Sequence, residues 1–220
     1  MTRLSPPFIG PKPRSVSVDA ANARFIRYSY PMPLYAYDTN LVRNGNITQG
    51  VAGYEAGIYT GTLGTLSAVN GTNGNSDPVL NFGAYSLQVQ ESASSRTQIW
   101  TTPVLDLSPY LGSVFKAEAV MVNEASSSHW SSTLARLTFV LGLNQSGAGS
   151  PYAASGDPDQ TRWIVGSVAP DATTGVSEIS GNFTIAGSQR YGALIMEYTN
   201  APAVPWSWRA DRVRLQVRCV

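Results

Sequence analysis

The sequence predicts an all-β fold, a sandwich or a barrel, on three observations. Short runs with period-two alternation recur along the chain, as expected of strands with one face inward and one outward. Clusters of Asn, Gly, Ser, Asp and Pro separate these runs, which is turn chemistry. No run carries a helical period. Several short strands at this spacing form a sandwich or barrel rather than a mixed fold. At 220 residues the chain is long enough to bury a core without covalent staples.

Residues 1–38 stand apart from the rest. Pro6, Pro7, Pro11, Pro13, Pro31 and Pro33 interrupt any continuous sheet or helix, since proline lacks the N–H that both require. Yet Phe8, Ile9, Phe25, Ile26, Tyr28 and Tyr30 carry more apolar surface than a disordered tail does. Arg3, Lys12, Arg14, Arg24 and Arg27 against Asp19 make the segment basic. It reads as an extended arm that lies on another molecule, with those six side chains as its assembly contacts. Residues 39–220 form the β-domain.

From residue 40 the strands follow in order. Asn44-Gly45-Asn46 is a turn, 59–66 a Gly/Thr-rich strand with weak alternation, and 70–78 a loop. Tyr85, Leu87 and Val89 share one face of the next strand. Residues 98–101 and 104–107 flank Pro103. Within 113–123, Phe115, Ala117, Ala119 and Met121 make the core face, with Lys116, Glu118, Val120 and Val122 opposite. Leu137, Phe139, Leu141 and Leu143 alternate through an apolar, central-type strand, with Val140 opposite. Residues 144–160 form a Gly/Ser/Pro/Asp loop long enough to be functional. Strands at 162–168, 176–185 and 191–198 and a Pro-bearing corner at 201–205 complete the set. In the closing strand, Trp206, Trp208 and Ala210 are in one phase and Val213, Leu215 and Val217 in the other. One extra residue near 210–212, a bulge, restores a single inward face.

Composition excludes several classes. Charged residues are 13% and the formal net charge is +1, so nothing attracts nucleic acid or an anionic membrane. No apolar run reaches membrane-spanning length, and the start has no signal-peptide core. Cys219 is the single cysteine, so no intrachain disulfide forms. A Ser/Thr/Asn/Gly-rich body without an export signal suits a virion protein assembled in a host cytoplasm.

Three segments resemble jelly-roll carbohydrate-binding modules. Asn40-Leu-Val-Arg-Asn-Gly-Asn-Ile47 resembles their opening run, Ala84-Tyr-Ser-Leu-Gln-Val89 their Tyr-Ser-Leu-x-Val strand, and Trp208-Arg-Ala-Asp-Arg-Val-Arg-Leu215 their closing strand. The resemblance spans roughly 40–218 and implies a jelly-roll β-sandwich, which with the arm completes the expected architecture. Domains of this fold recur in phage particles as capsid decoration proteins and as tail or fibre modules. The family's structural calcium commonly uses an acidic residue after the opening aromatic. Here Ile47 is followed by Thr48, and Asp211 alone lacks the oxygens calcium needs. No metal and no cofactor are expected.

No catalytic constellation emerges. His129 is the only histidine, and no Gly-x-Ser-x-Gly accompanies it. One His and one Cys make no zinc site. Of the carboxylate pairs, Asp157 and Asp159 read as an exposed loop, and Glu118 and Glu124 as outward strand positions. Aromatic rings beside polar loops suit sugar stacking, which makes Trp130, Tyr152 and Trp163 the glycan-binding candidates. Against this, Trp163 also reads as core and the other two as interface anchors. The leading expectation is a non-enzymatic phage capsid decoration protein, a homo-oligomer with a trimer as the guess, bound through its arm to the major capsid protein or tail proteins. The alternative is a glycan-binding module of a tail or fibre.

Overall fold

The computed structural model describes residues 40–70, 85–142, 160–185 and 190–218. The arm, and with it Phe8, Ile9, Phe25, Ile26, Tyr28 and Tyr30, lies outside the described residues. So do Tyr152, Asp157, Asp159, Cys219 and most of the 144–160 loop.

The described chain forms β1 (Tyr54–Thr60), β2 (Thr65–Asn70), β3 (Tyr85–Glu91), β4 (Arg96–Thr101), β5 (Leu105–Asp106), β6 (Val114–Asn123), β7 (Ala135–Gly142), β8 (Gln160–Val168), β9 (Val176–Thr184), β10 (Tyr191–Tyr198) and β11 (Trp206–Arg218). Two short 3-10 turns, Ser108–Tyr110 and Ser127–Ser132, are the only helical pieces among the described residues. One sheet runs β1-β4-β10-β7-β8, with β5 on β10, and the other runs β2-β3-β11-β6-β9. Every pairing is antiparallel. The chain alternates between sheets as a jelly roll does.

The core lies between the sheets. β6 contributes Phe115, Ala117, Ala119 and Met121, all at 1% exposure or less, as its alternation requires. Phe183 of β9 stacks on Phe115 at 5.6 Å and on Phe139 of β7 at 4.6 Å. Gly192 of β10 is what admits the Phe139 ring, since a Cβ there would stand 2.3 Å from Phe139 Cζ.

β11 is the middle strand of its sheet, and its change of phase is a bulge. Its register against β6 shifts between Asp211 and Arg214, and Arg212 adopts φ +45°. Trp208, Ala210, Val213, Leu215 and Val217 all point inward and are fully buried. The bulge also divides β11 between two neighbours on one side. Before it, residues 206–210 pair with β3. After it, the opening segment takes β3's place. Asn40 Oδ1 accepts from Leu215 N–H (2.9 Å), its Nδ2 donates to the Val213 carbonyl (2.9 Å), and Val213 N–H donates to the Gly45 carbonyl (2.8 Å). A Cβ on Gly45 would stand 2.2 Å from the Val213 carbonyl oxygen, so only glycine allows this approach.

Two expectations need correction. Residues 59–66 are not one strand but the junction of β1 and β2, because Gly61 turns the chain at φ +80°. Outward phase does not mean exposure: Val120 and Val122 on β6 are buried together with partly buried Val176. On the other sheet Trp100, Val140 and Ile195 form a second buried outer cluster.

Candidate functional site

The ends of β3 and β6 and the start of β11 meet in a row. Gln90 pairs with Ser207, and Glu124 N–H donates to the Ser207 carbonyl at 3.0 Å. Over this row opens a cleft of about 630 Å³, within the size range of small-molecule sites. Gln90, Glu124, Ser126 and Ser207 give it polar groups, and Ala125, Val204 and Pro205 give it an apolar wall. Val204 is 45% exposed, as an apolar side chain held at the surface by the corner that Pro205 stiffens.

Glu124 organises the floor. Its Oε2 accepts from Gln88 Nε2 and from Ser207 Oγ, both at 2.7 Å. Its Oε1 lies 2.6 Å from Arg209 Nε. This is an ion pair without an aligned hydrogen bond, and Arg209 Nη1 is buried with no partner.

Glu91 borders the same cleft from inside the sandwich. Its Oε1 accepts from Thr97 N–H (2.6 Å) and Trp208 Nε1 (3.3 Å), and its Oε2 from Thr97 Oγ1 (2.9 Å). Burial pushes its carboxyl above the usual carboxylate range, and those hydrogen bonds pull the other way. Glu91 thereby ties β3 of one sheet to β4 of the other.

At the lip, Ser126 Oγ lies 2.8 Å from His129 Nδ1. The two are three residues apart on an exposed 3-10 turn, and among the described residues no carboxylate bonds the imidazole. This is a local turn contact, not a charge-relay arrangement. Trp130 follows. It is half-buried and its indole N–H donates to the Ala125 carbonyl at 2.9 Å, which places it beside the cleft. Gly175 leaves room for its ring, with a Cβ there 2.8 Å from Trp130 Cζ2. Trp163 is elsewhere. It pairs with inward-facing Phe139, is partly buried against the core and stacks with Phe183 at 6.4 Å. Of the three aromatic candidates, Trp130 alone is described at the cleft.

Glu118 and Glu124 are not paired with each other: Glu118 contacts Lys116 and, at 4.0 Å, Arg214. Among the described residues no three His, Cys, Asp or Glu side chains cluster as metal ligands. Asp211 is fully buried, with its oxygens accepting from Ser86 Oγ (3.2 Å) and Arg212 N–H (2.7 Å). Burial pushes its carboxyl up to about 6. One carboxyl whose oxygens already accept from Ser86 and Arg212 does not offer the several oxygens that calcium needs.

Sequence reasoning missed Gln88, Gln90, Ser207 and Arg209. Each is an outward position of an alternating strand, so the pattern marks them as facing away from the core. Which strand lies beside which was the missing information.

No protein-family model and no curated protein sequence matches the chain. Solved structures do resemble it. A family 22 carbohydrate-binding module of Clostridium thermocellum Xyn10B is similar at TM-score 0.51 and 12% identity, covering 84% of this chain and 96% of that one. The fold is a carbohydrate-binding-module jelly roll. TmCBM61, solved in complex with β-1,4-galactotriose, is similar at TM-score 0.50 and 12% identity, covering 82% of this chain and 100% of that one. The enzymatically active domain of tailspike protein 4 from bacteriophage CBA120 is similar at TM-score 0.52 and 10% identity over 81% of this chain, and the chain spans only 21% of that structure. This jelly roll therefore occurs both in sugar-binding modules and within a phage tailspike structure.

Proposed function

We propose that the protein is a non-catalytic glycan-binding module of a phage tail or fibre protein, with the Glu124 cleft as its sugar site. The observation that carries this is the row Gln90–Ser207–Glu124 facing a wall of Ala125, Val204 and Pro205. A sugar ring has an apolar C–H face and a rim of hydroxyls, and the cleft offers a surface for each. The Gln90 amide and the Ser126 and Ser207 hydroxyls offer hydrogen bonds to the sugar's hydroxyls, and Glu124 holds Ser207 in place through its 2.7 Å bond. The jelly-roll fold shared with carbohydrate-binding modules supports the same reading.

Catalysis is disfavoured on geometry. Glycoside hydrolysis needs one carboxyl free to donate a proton and another free to attack or activate water. Glu91 spends both oxygens on Thr97 and Trp208, and Glu124 spends both on Gln88, Ser207 and Arg209.

The test is a glycan array probed with the full-length protein and with the Gln90→Ala/Ser207→Ala double variant. A defined subset of glycans is retained by the wild type, and the variant weakens it roughly tenfold, as expected for two lost hydrogen bonds. Recovered glycans keep their mass. No retention on any array, or equal retention by the variant, refutes the cleft; shortened glycans refute the non-catalytic assignment.

Capsid decoration remains a second reading, supported by the apolar side chains and prolines of residues 1–38. It expects deletion of that arm to abolish attachment to particles while the sandwich stays folded.

A further inference from the structure

A second concavity, of about 340 Å³, is lined by Arg43, Gln49, Ala52, Gly53, Thr102 and Pro103. It lies at the far end of β4 from the Glu124 cleft. Thr102 and Pro103 follow that strand, whereas Ser95, whose carbonyl accepts from Trp206 Nε1 at 3.4 Å, precedes it. A six-residue strand separates the two by about 20 Å at ~3.3 Å per residue.

Its walls are built rather than incidental. Asn44 is 4% exposed and acts as a hub. Its Nδ2 donates to the carbonyls of Gly50 (3.0 Å) and Ala52 (2.8 Å), and its Oδ1 accepts from Gln49 N–H (3.1 Å). Its own carbonyl accepts from Tyr54 OH at 3.0 Å. Thr102 N–H donates to the Gly53 carbonyl at 2.8 Å, closing the other wall. The loop turns through positive φ at Ile47, Gly50 and Gly53, conformations that such a network has to hold in place.

Arg43 is the one charged residue lining this concavity. It is exposed, and the five ion pairs of the described residues involve other side chains. A planar guanidinium with free donors beside an amide matches a carboxylate, which it grips through two parallel hydrogen bonds. Gln49 can donate and accept at ring hydroxyls, and Ala52 and Pro103 give an apolar surface for a C–H face.

We propose that the Arg43 pocket is a second ligand site that takes the carboxylate of an acidic sugar residue. This rests on the glycan-binding reading for its ligand class, not for its geometry. Because Arg43 is exposed, binding is weak and falls as salt rises.

The experiment is a two-dimensional amide NMR titration of the full-length protein with glucuronic acid. Glucose serves as the neutral control and N-acetylglycine as a plain carboxylate. Glucuronic acid is expected to shift the amides of Gln49, Gly53 and Thr102 at concentrations at least fivefold below those needed for either control. Arg43→Ala abolishes those shifts, and Arg43→Lys keeps part of them. An unchanged Ile47 amide signal in both variants reports that the loop is still folded. Unmoved amides, shifts that persist in Arg43→Ala, or equal response to N-acetylglycine overturns the proposal. Its failure is separate from failure of the proposed function. Neutral oligosaccharides report on the Gln90 and Ser207 amides, and a silent cleft beside a responsive Arg43 pocket sinks the first reading while leaving this one.

Discussion

Replacing Asp211 with Asn is expected to stabilise the protein at neutral pH and to leave it unchanged in acid. Asp211 is fully buried, and its carboxyl is pushed up to about 6 from an ordinary 3.8, chiefly by burial, against hydrogen bonds from Arg212 N–H and Ser86 and the attraction of the Arg212 guanidinium. A carboxyl whose folded pKa exceeds its unfolded one binds more protons when folded, so its contribution is intact below about 4 and is lost as pH rises through about 6. At 1.36 kcal/mol per pKa unit, ionising it in place costs about 3 kcal/mol by pH 7. Asn keeps the acceptor for Arg212 N–H, offers an amide donor to Ser86 Oγ, and carries no charge to desolvate. Urea unfolding followed by tryptophan fluorescence at pH 4, 5, 6 and 7 measures both proteins. The variant's advantage should grow from about 0.5 kcal/mol at pH 4 to about 3 at pH 7. An advantage that does not change with pH, or a variant less stable than wild type at pH 7, refutes the reasoning. Glu91, raised in the same direction, and Asp106 and Asp171, lowered by local hydrogen bonds, act equally in both proteins and cancel in the difference.

Three further outcomes follow from single contacts. Tyr198→Phe should change stability by less than about 1 kcal/mol, because the buried Tyr198 hydroxyl has Ser177 Oγ only as a poorly aligned neighbour; thermal unfolding reads this as a shift of at most a few degrees, and a larger fall contradicts it. Glu91→Ala should cost about 3 kcal/mol by stranding Thr97 N–H, Thr97 Oγ1 and Trp208 Nε1, measured by the same unfolding; a loss under ~0.5 kcal/mol would show that the inter-sheet tie is idle. Gly45→Ala should lose about 2 kcal/mol, as overpacked sites do, because its Cβ meets Asn40 and Val213. Hydrogen exchange should then speed up at Val213 and Leu215 while Trp208 stays protected.

The bulge shows how far a sequence can be read. Trp206–Ala210 and Val213–Val217 could both face inward only if a residue were added between them, so the change of phase was legible from alternation alone. The Phe115–Met121 face of β6 was legible for the same reason. The glycan cleft was not. Gln90 and Ser207 lie on β3 and β11 and Glu124 just past the end of β6, and only the register of these three strands brings them into a row. Val120 and Trp100 illustrate a second limit: alternation assigns a face, whereas burial depends on what lies over that face. Trp163 illustrates a third, because an aromatic on a strand beside a polar loop reads equally as platform and as core until its partner, Phe139, is known.

Asn40 is bonded to Val213 and Leu215 across 173 and 175 positions of the chain. Synthesis must therefore reach Leu215 before the second sheet can close, and the turn at Asn40–Gly45 waits for β11. A nascent chain halted short of Leu215 would expose the flank of β11 that this turn covers. The two ends of the described chain are so near that a permuted version, joined there and opened at a surface loop, should still find the same sandwich.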